Sequence, residues 1–335
     1  MASIAAAWAP ARAASAPPPG VGSAEPNRSR KSSIVREPRY MVRHSSSGFA
    51  GRVCRPAYNR DRRDSEEAGS TMSDRRPIGV FDSGLGGLTV LREVVSQLPG
   101  EQCLYVADER EAPYGTKTVE ALRARTEQVA NFLLAHDAKA IVVACNTASL
   151  TALAHLRSIF TVPFIGIVPA VKLAATLTHT GKVGVLVTSA TAHSESLAQL
   201  INSYAHGTQM IMHECPELVT LVEQGMLIGP LVEDSVRLEV GPLLTQGADI
   251  LVLGCTHLPF LTEVIGRVCG PHVQLIDPAA AVARQLRRVL EEHDLLNSGK
   301  KQPPAYFTTG DVEEFRLRLG QLMGEPNANI QAIDV

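Results

Sequence analysis

The sequence has no C-x-x-C pair, no apolar run long enough to cross a membrane and no phosphate-loop lysine, and each absence removes a class of protein. The six cysteines, Cys54, Cys103, Cys145, Cys215, Cys255 and Cys269, lie far apart. That spacing argues against a structural zinc site or a disulfide framework, so no metal is expected and reduced thiols in a cytosol-like compartment are the default. A membrane helix needs roughly 18 to 20 consecutive apolar residues. None occurs, so the protein reads as soluble and cytoplasmic, with no membrane partner. The turn FDSGLGG (81–87) lacks the lysine of G-x-x-x-x-G-K-[ST] and fails the G-x-G-x-x-G spacing, so it is not a phosphate loop. Lys117 reads as a solvated surface lysine rather than a Schiff-base former, and nothing else suggests pyridoxal phosphate.

What is present is a chain of 335 residues, 45% hydrophobic, enough for two domains of ordinary size. Its net charge of −2 hides an asymmetry. Residues 1–71 carry 12 Lys+Arg against 6 Asp+Glu, which leaves 20 against 28 in 72–335, a net of −8. A body of that sign disfavours nucleic acid as a partner. Residues 1–71 are rich in Ala, Pro, Ser and Arg, show no sustained apolar period and are expected to stay unfolded. With no acidic residue before Glu25 they resemble an organellar transit peptide. Translation from Met72 would instead give the compact body alone, and that plainer reading is preferred.

From Pro77 onward short apolar runs alternate with amphipathic helical patterns: PIGVF, CLYVAD and AIVVAC read as strands, TVLREVVSQL, TVEALRARTEQVANFLLAHD and ASLTALAHLRSIF as helices. Continuous β-branched runs between helices indicate parallel strands buried on both faces, so the predicted class is α/β, doubly wound. The pattern then repeats. Gly184 in KVGVLVTSATAHSESLAQLINSY lies 105 residues after Gly79, and Cys255 in ADILVLGCTHLPFLTEVI lies 110 after Cys145. Two such similar offsets indicate a duplicated unit. Two related halves can pack about a pseudo-twofold axis, with corresponding strand ends facing one cleft, the place where open α/β sheets bind ligands.

Both repeated cysteines are expected at the carboxyl end of a buried strand just before a helix, where the helix N-terminus would partly convert a thiol of pKa about 8.5 to thiolate. Most free cysteines are small core hydrophobes. Two at equivalent places in two repeats, followed by Asn146-Thr147 and Thr256-His257, argue for a shared role. Inverting a stereocentre needs a base on one face and an acid on the other, in opposite protonation states that exchange when the direction reverses. Asp82 and Ser83 end the first strand and should project into the same cleft, Asp82 to bind an ammonium or tune a thiol and Ser83 to donate to a carboxylate, although either could simply cap the next helix. Tyr114 and the Gly115 amide in EAPYGTKT are candidate carboxylate donors. Glu223 is a candidate inward carboxylate, although a surface glutamate is the commoner case, and Cys103, Cys215 and Cys269 read as structural.

With FDSGLGG, PYGTKT, ACNTAS and GCTHLPF in this order, the chain resembles the bacterial glutamate racemases from about Pro77 to Leu322. The resemblance implies cofactor-independent interconversion of L- and D-glutamate, supplying D-glutamate for peptidoglycan. It makes Cys145 and Cys255 the proton-transfer pair. It gives Asp82 and His257 supporting acid–base roles and makes Asp82, Ser83, Tyr114, Gly115, Asn146, Thr147, Thr256 and His257 substrate contacts. It further implies two similar α/β domains with glutamate bound between them, a C-terminal segment returning to the first, and a homodimer. The expected boundaries are then an unfolded extension over 1–75, a first domain of 76–170 plus 276–322 and a second of 171–275. In the family the first-half cysteine takes the proton from D-glutamate and the second-half cysteine from L-glutamate. IVPAVK (167–172) and THLPF depart from the family's usual forms without removing a catalytic position. An aspartate or hydantoin racemase, and a non-catalytic binding protein such as a gyrase inhibitor, are the alternatives.

Overall fold

The computed structural model describes residues 73–335. The extension expected over 1–75 lies outside these residues except at its end. There Ser73 and Asp74 belong to the folded body: Ser73 Oγ donates to Asn297 Oδ1 (2.5 Å) and the Asp74 carbonyl accepts from Lys139 Nζ (2.6 Å).

The first half runs β1 (Ile78–Asp82), α1 (Leu88–Gln97), β2 (Cys103–Ala107), α2 (Val119–Ala135), β3 (Ala140–Val143), α3 (Asn146–Ile159) and β4 (Phe164–Gly166). The second runs α4 (Val171–Leu177), β5 (Lys182–Val187), α5 (Ser189–Ala192), α6 (Glu195–Tyr204), β6 (Gln209–Glu214), α7 (Pro216–Glu223), α8 (Pro230–Thr245), β7 (Ile250–Leu253), α9 (Thr262–Cys269) and β8 (Gln274–Ile276). The chain then continues through α10 (Ala279–Glu292), β9 (Ala305–Thr308), α11 (Val312–Met323) and β10 (Ile330–Ala332).

All pairings are parallel, in one sheet of order β10-β9-β2-β1-β3-β4 and another of order β6-β5-β7-β8. The duplication is visible in that order, since β6-β5-β7-β8 repeats β2-β1-β3-β4 strand for strand. The first sheet differs by gaining β9 and β10 at the β2 edge, so its lobe extends past the expected end at Leu322. Alternation along the strands serves two faces. Ile78, Val80, Tyr105 and Val142 pack with α1 and α10, while Phe81, Val106, Ile141 and Val143 pack with α2 and α3. The core around α1 and α10 continues into α7, α8 and α9 of the second half, so one apolar interior spans both sheets.

In each sheet the chain leaves the first strand (β1 or β5) towards one side and returns to place the third strand (β3 or β7) on the other. The carboxyl ends of these two strands flank the switch point where doubly wound sheets bind ligands.

Candidate active site

Ten of the predicted residues converge on one cleft of about 780 Å³: Ser83, Tyr114, Gly115, Cys145, Asn146, Thr147, Glu223, Cys255, Thr256 and His257. A volume of this size is ordinary for a small-molecule site. Cys145 follows β3 and Cys255 follows β7, so each sheet contributes one buried thiol.

Neither cysteine meets a helix N-terminus in the form expected. Cys145 is the N-cap of α3, and the Ala148 amide favours its thiolate, but burial and the neighbouring Asp82 carboxylate push the thiol well above the usual range. Cys255 does not meet an α-helix at all; a 3-10 turn, Leu258–Leu261, intervenes before α9. What faces its sulfur is the His257 ring, with Nδ1 3.5 Å from Sγ. The other ring nitrogen, Nε2, lies 2.5 Å from Glu223 Oε1. Burial opposes charge on His257, yet Cys255 and Glu223 together raise its pKa well above the ordinary value. Burial likewise opposes ionisation of Glu223, and the bond to His257 overcomes it.

Asp82 is placed differently from expectation. It is fully buried and is not among the residues lining the cleft. Its Oδ1 accepts from the Ser83 amide (2.7 Å); its Oδ2 accepts from the Gly87 amide (2.5 Å) and from Thr256 Oγ1 (3.1 Å). Asp82 therefore braces the glycine-rich turn, ties it to the second half and stands behind Cys145. Burial raises its pKa, with His257 opposing. Gly86 explains why this turn is glycine-rich: a Cβ there would lie 2.4 Å from Thr256 Oγ1 and 2.6 Å from His257 Nδ1. The two halves could not approach so closely with any side chain at that position.

Tyr114 also departs from its expected role. Its hydroxyl donates to Asp108 Oδ2 (2.6 Å), so its one proton is not available to a ligand carboxylate. Asn146 is the reverse case. It is buried, and neither its Nδ2 nor its Oδ1 has a partner. A buried amide without partners costs about 1–3 kcal/mol, and in a cleft wall that is a place kept for a ligand. Thr147 Oγ1 meets Thr188 Oγ1 (3.1 Å) and Thr191 Oγ1 (3.3 Å) across the lobes.

Several cleft residues escaped sequence reasoning. Thr188 was findable, because it stands 105 residues after Ser83 in the repeat. Glu109, Thr309 and Arg318 carry no motif, and the last two reach the cleft from the returning C-terminal segment. Cys103 and Cys215 are buried and Cys269 half-buried, and none of the three lines the cleft. Burial pushes Cys103 to about 12 and Cys269 to about 11. Among the described residues no group of His, Cys, Asp or Glu is arranged to hold a metal ion, and no helix is long and apolar enough to cross a membrane.

The sequence profile of the Asp/Glu/Hydantoin racemase family matches residues 78–286. A glutamate racemase of Ectopseudomonas mendocina (strain ymp) is 45% identical over 250 residues, covering 74% of this chain and 95% of that protein. Among solved structures, glutamate racemase isoform RacE1 of Bacillus anthracis aligns with a TM-score of 0.72 at 33% identity, over 79% of this chain and 99% of that one. Escherichia coli glutamate racemase, in complex with L-glutamate and the activator UDP-MurNAc-ala, aligns at 0.69 and 31%, over 77% and 97%. Duplicated parallel sheets with a thiol from each on a common cleft thus define an isomerase of the amino-acid racemase class. The chain belongs to the Asp/Glu/Hydantoin racemase family.

Proposed function

We propose that the protein interconverts L- and D-glutamate by a 1,1-proton transfer between Cys145 and Cys255, and that its D-glutamate serves peptidoglycan synthesis in the cytoplasm. The observation that carries this reading is the pair of strand-end thiols, one from each repeat, lining the same cleft beside the unpartnered Asn146 amide.

In this reading the surroundings of the two thiols set the direction of the resting enzyme. Cys145, buried against Asp82, is held as a thiol. Cys255 faces the His257 ring, which Glu223 backs, and takes the part of the base. In that state Cys255 removes the α-proton from L-glutamate, and Cys145 delivers its own proton to the opposite face, giving D-glutamate. The thiol and thiolate have then changed places, and the reverse reaction restores them. The α-proton is a very weak acid, so the carbanion-like transition state needs donors around the α-carboxylate. The Asn146 amide, Thr147, Thr256 and nearby backbone N–H groups supply them, with Ser83 and the Gly115 amide left for the remainder of the substrate.

Proton NMR in deuterated buffer tests the reading: the protein should wash deuterium into the α-position of glutamate and racemise it faster than aspartate. No exchange would overturn the proposal, and a faster rate on aspartate would overturn the substrate. The resemblance also supports a homodimer, and a monomer mass by light scattering would remove it.

A further inference from the structure

We infer that Asp108 and Arg125, neither of which lines the cleft, are positioning residues that hold the Tyr114-Gly115 loop at the boundary between the two sheets through the Tyr114 hydroxyl. The inference rests on the proposed racemase reading and deepens it by moving Tyr114 from ligand donor to strut.

Asp108 directly follows β2 and is fully buried. Four donors from three separate parts of the chain converge on its two oxygens. Arg125, on α2, grips it in a fork, Nη2 to Oδ1 at 2.5 Å and Nε to Oδ2 at 2.7 Å. Tyr114 Oη gives its proton to Oδ2 at 2.6 Å, and Thr309 Oγ1, just beyond β9, donates to Oδ1 at 3.0 Å. A planar guanidinium bonded in this way fixes orientation as well as charge, which a lysine in its place could not do. Arg125 Nη1 also donates to the Val335 carbonyl, so the C-terminal segment buttresses the same group.

The loop held by this network matters because of where it ends. A Cβ on Gly115 would lie 3.7 Å from the Ala190 Cβ and 3.9 Å from Thr188, so the loop from the first half touches the second beside the cleft. Burial and Asp108 keep the Tyr114 phenol protonated, and its proton stays committed to the strut. Releasing it disorders the loop and weakens substrate binding. The thiols are untouched, so proton transfer in the bound complex continues.

Steady-state kinetics of Asp108→Asn, Arg125→Lys, Tyr114→Phe and the double Asp108→Asn/Tyr114→Phe test this. Each single change should raise KM for both glutamate enantiomers about 10- to 150-fold, the size of one lost charge-assisted hydrogen bond, with kcat within about twofold. The double should be no worse than the worse single, because both cut the same link. Wild-type KM in Asp108→Asn, effects that multiply in the double, or a loss confined to kcat would each overturn the inference. Arg125→Lys reads the same link should Asp108→Asn fail to fold. Hydrogen exchange over residues 112–117 judges the strut without catalysis: protection should fall in Arg125→Lys, and unchanged protection overturns it. If the wild type exchanges no α-proton of glutamate, the functional reading fails, while the exchange result still decides the strut.

Discussion

The two halves place their thiols alike and surround them differently. Both cysteines follow the third strand of a 2-1-3-4 sheet, an equivalence that the duplication supplies. The residue 105 positions after Asp82 is Val187, a core hydrophobe, so only Cys145 has a carboxylate at its back. Cys255 instead has the His257 ring in contact and Glu223 behind the ring. A two-base racemase needs symmetric placement for the two faces of its substrate but opposite protonation at any moment. In the proposed mechanism duplication provides the first, and divergence around the thiols the second. The glutamate enantiomers have equal free energy, so kcat/KM must be equal in the two directions. The asymmetry can therefore show only in kcat and KM taken singly, in isotope exchange and in thiol reactivity.

The sharpest way to break the comparison is to remove one thiol at a time. Cys145→Ala and Cys255→Ala should each lose racemisation by about 10²- to 10⁴-fold, the usual worth of a general acid or base. With Cys255 alone, deuterium should still enter L-glutamate without inversion; with Cys145 alone, it should enter D-glutamate. Exchange into both enantiomers by either variant contradicts the assignment of faces.

Next in size is thiol reactivity. The thiolate is the nucleophile, so Cys145, whose thiol burial and Asp82 push up, should be alkylated by iodoacetamide at pH 7 at least about tenfold more slowly than Cys255. His257→Asn should narrow the gap by slowing Cys255, and Asp82→Asn by speeding Cys145. Peptide mass spectrometry reads both rates, and a Cys145 that reacts first reverses the comparison.

A carboxylate on each side extends it to stability. Burial raises Glu109, beside the first sheet, from 4.5 to about 7, against the Thr308 hydroxyl and with Glu223 adding to the shift. The native state then binds more protons than the unfolded chain between these values. Its contribution is fully present below 4.5 and lost as pH rises through about 7. Asp249, in the second half, is lowered from 3.8 to about 2; burial opposes the shift, and the Thr178 hydroxyl with the His179 and Thr180 amides carries it. Its contribution is present above 3.8 and lost as pH falls through about 2. Urea midpoints across pH should show Glu109→Gln flattening the neutral limb and Asp249→Asn the acid limb. An unaltered profile in either variant removes that carboxylate from the account.

The smallest expected effect concerns the matched hydroxyls. Ser83 and Thr188 occupy equivalent positions, and both line the cleft. Ser83→Ala and Thr188→Ala should each raise KM for glutamate about 3- to 10-fold, the worth of one hydrogen bond. A change in only one of them would show that the divergence reaches beyond the thiols.

The strands, the helices, the repeat and the two strand-end thiols were legible from residue order, because alternation, helical period and offset are local or periodic signals. Asn146, Thr147, Thr256 and His257 were legible for the same reason, being chain neighbours of those thiols. Other assignments depended on which distant groups a side chain meets after folding. Asp82 was read as pointing into the cleft, but Thr256 and the Gly87 amide claim it within the interior. Tyr114 carries a proton that its sequence neighbours leave free and that Asp108 takes. Glu223 reaches His257 across 34 residues, and Thr309 and Arg318 arrive from a segment whose path no local pattern shows. By itself, then, the sequence determined the duplicated α/β frame and the placement of one thiol in each half. Tertiary structure alone decided which groups surround each thiol and which hydroxyls and carboxylates are already committed to partners, because burial and hydrogen bonding depend on residues remote along the chain.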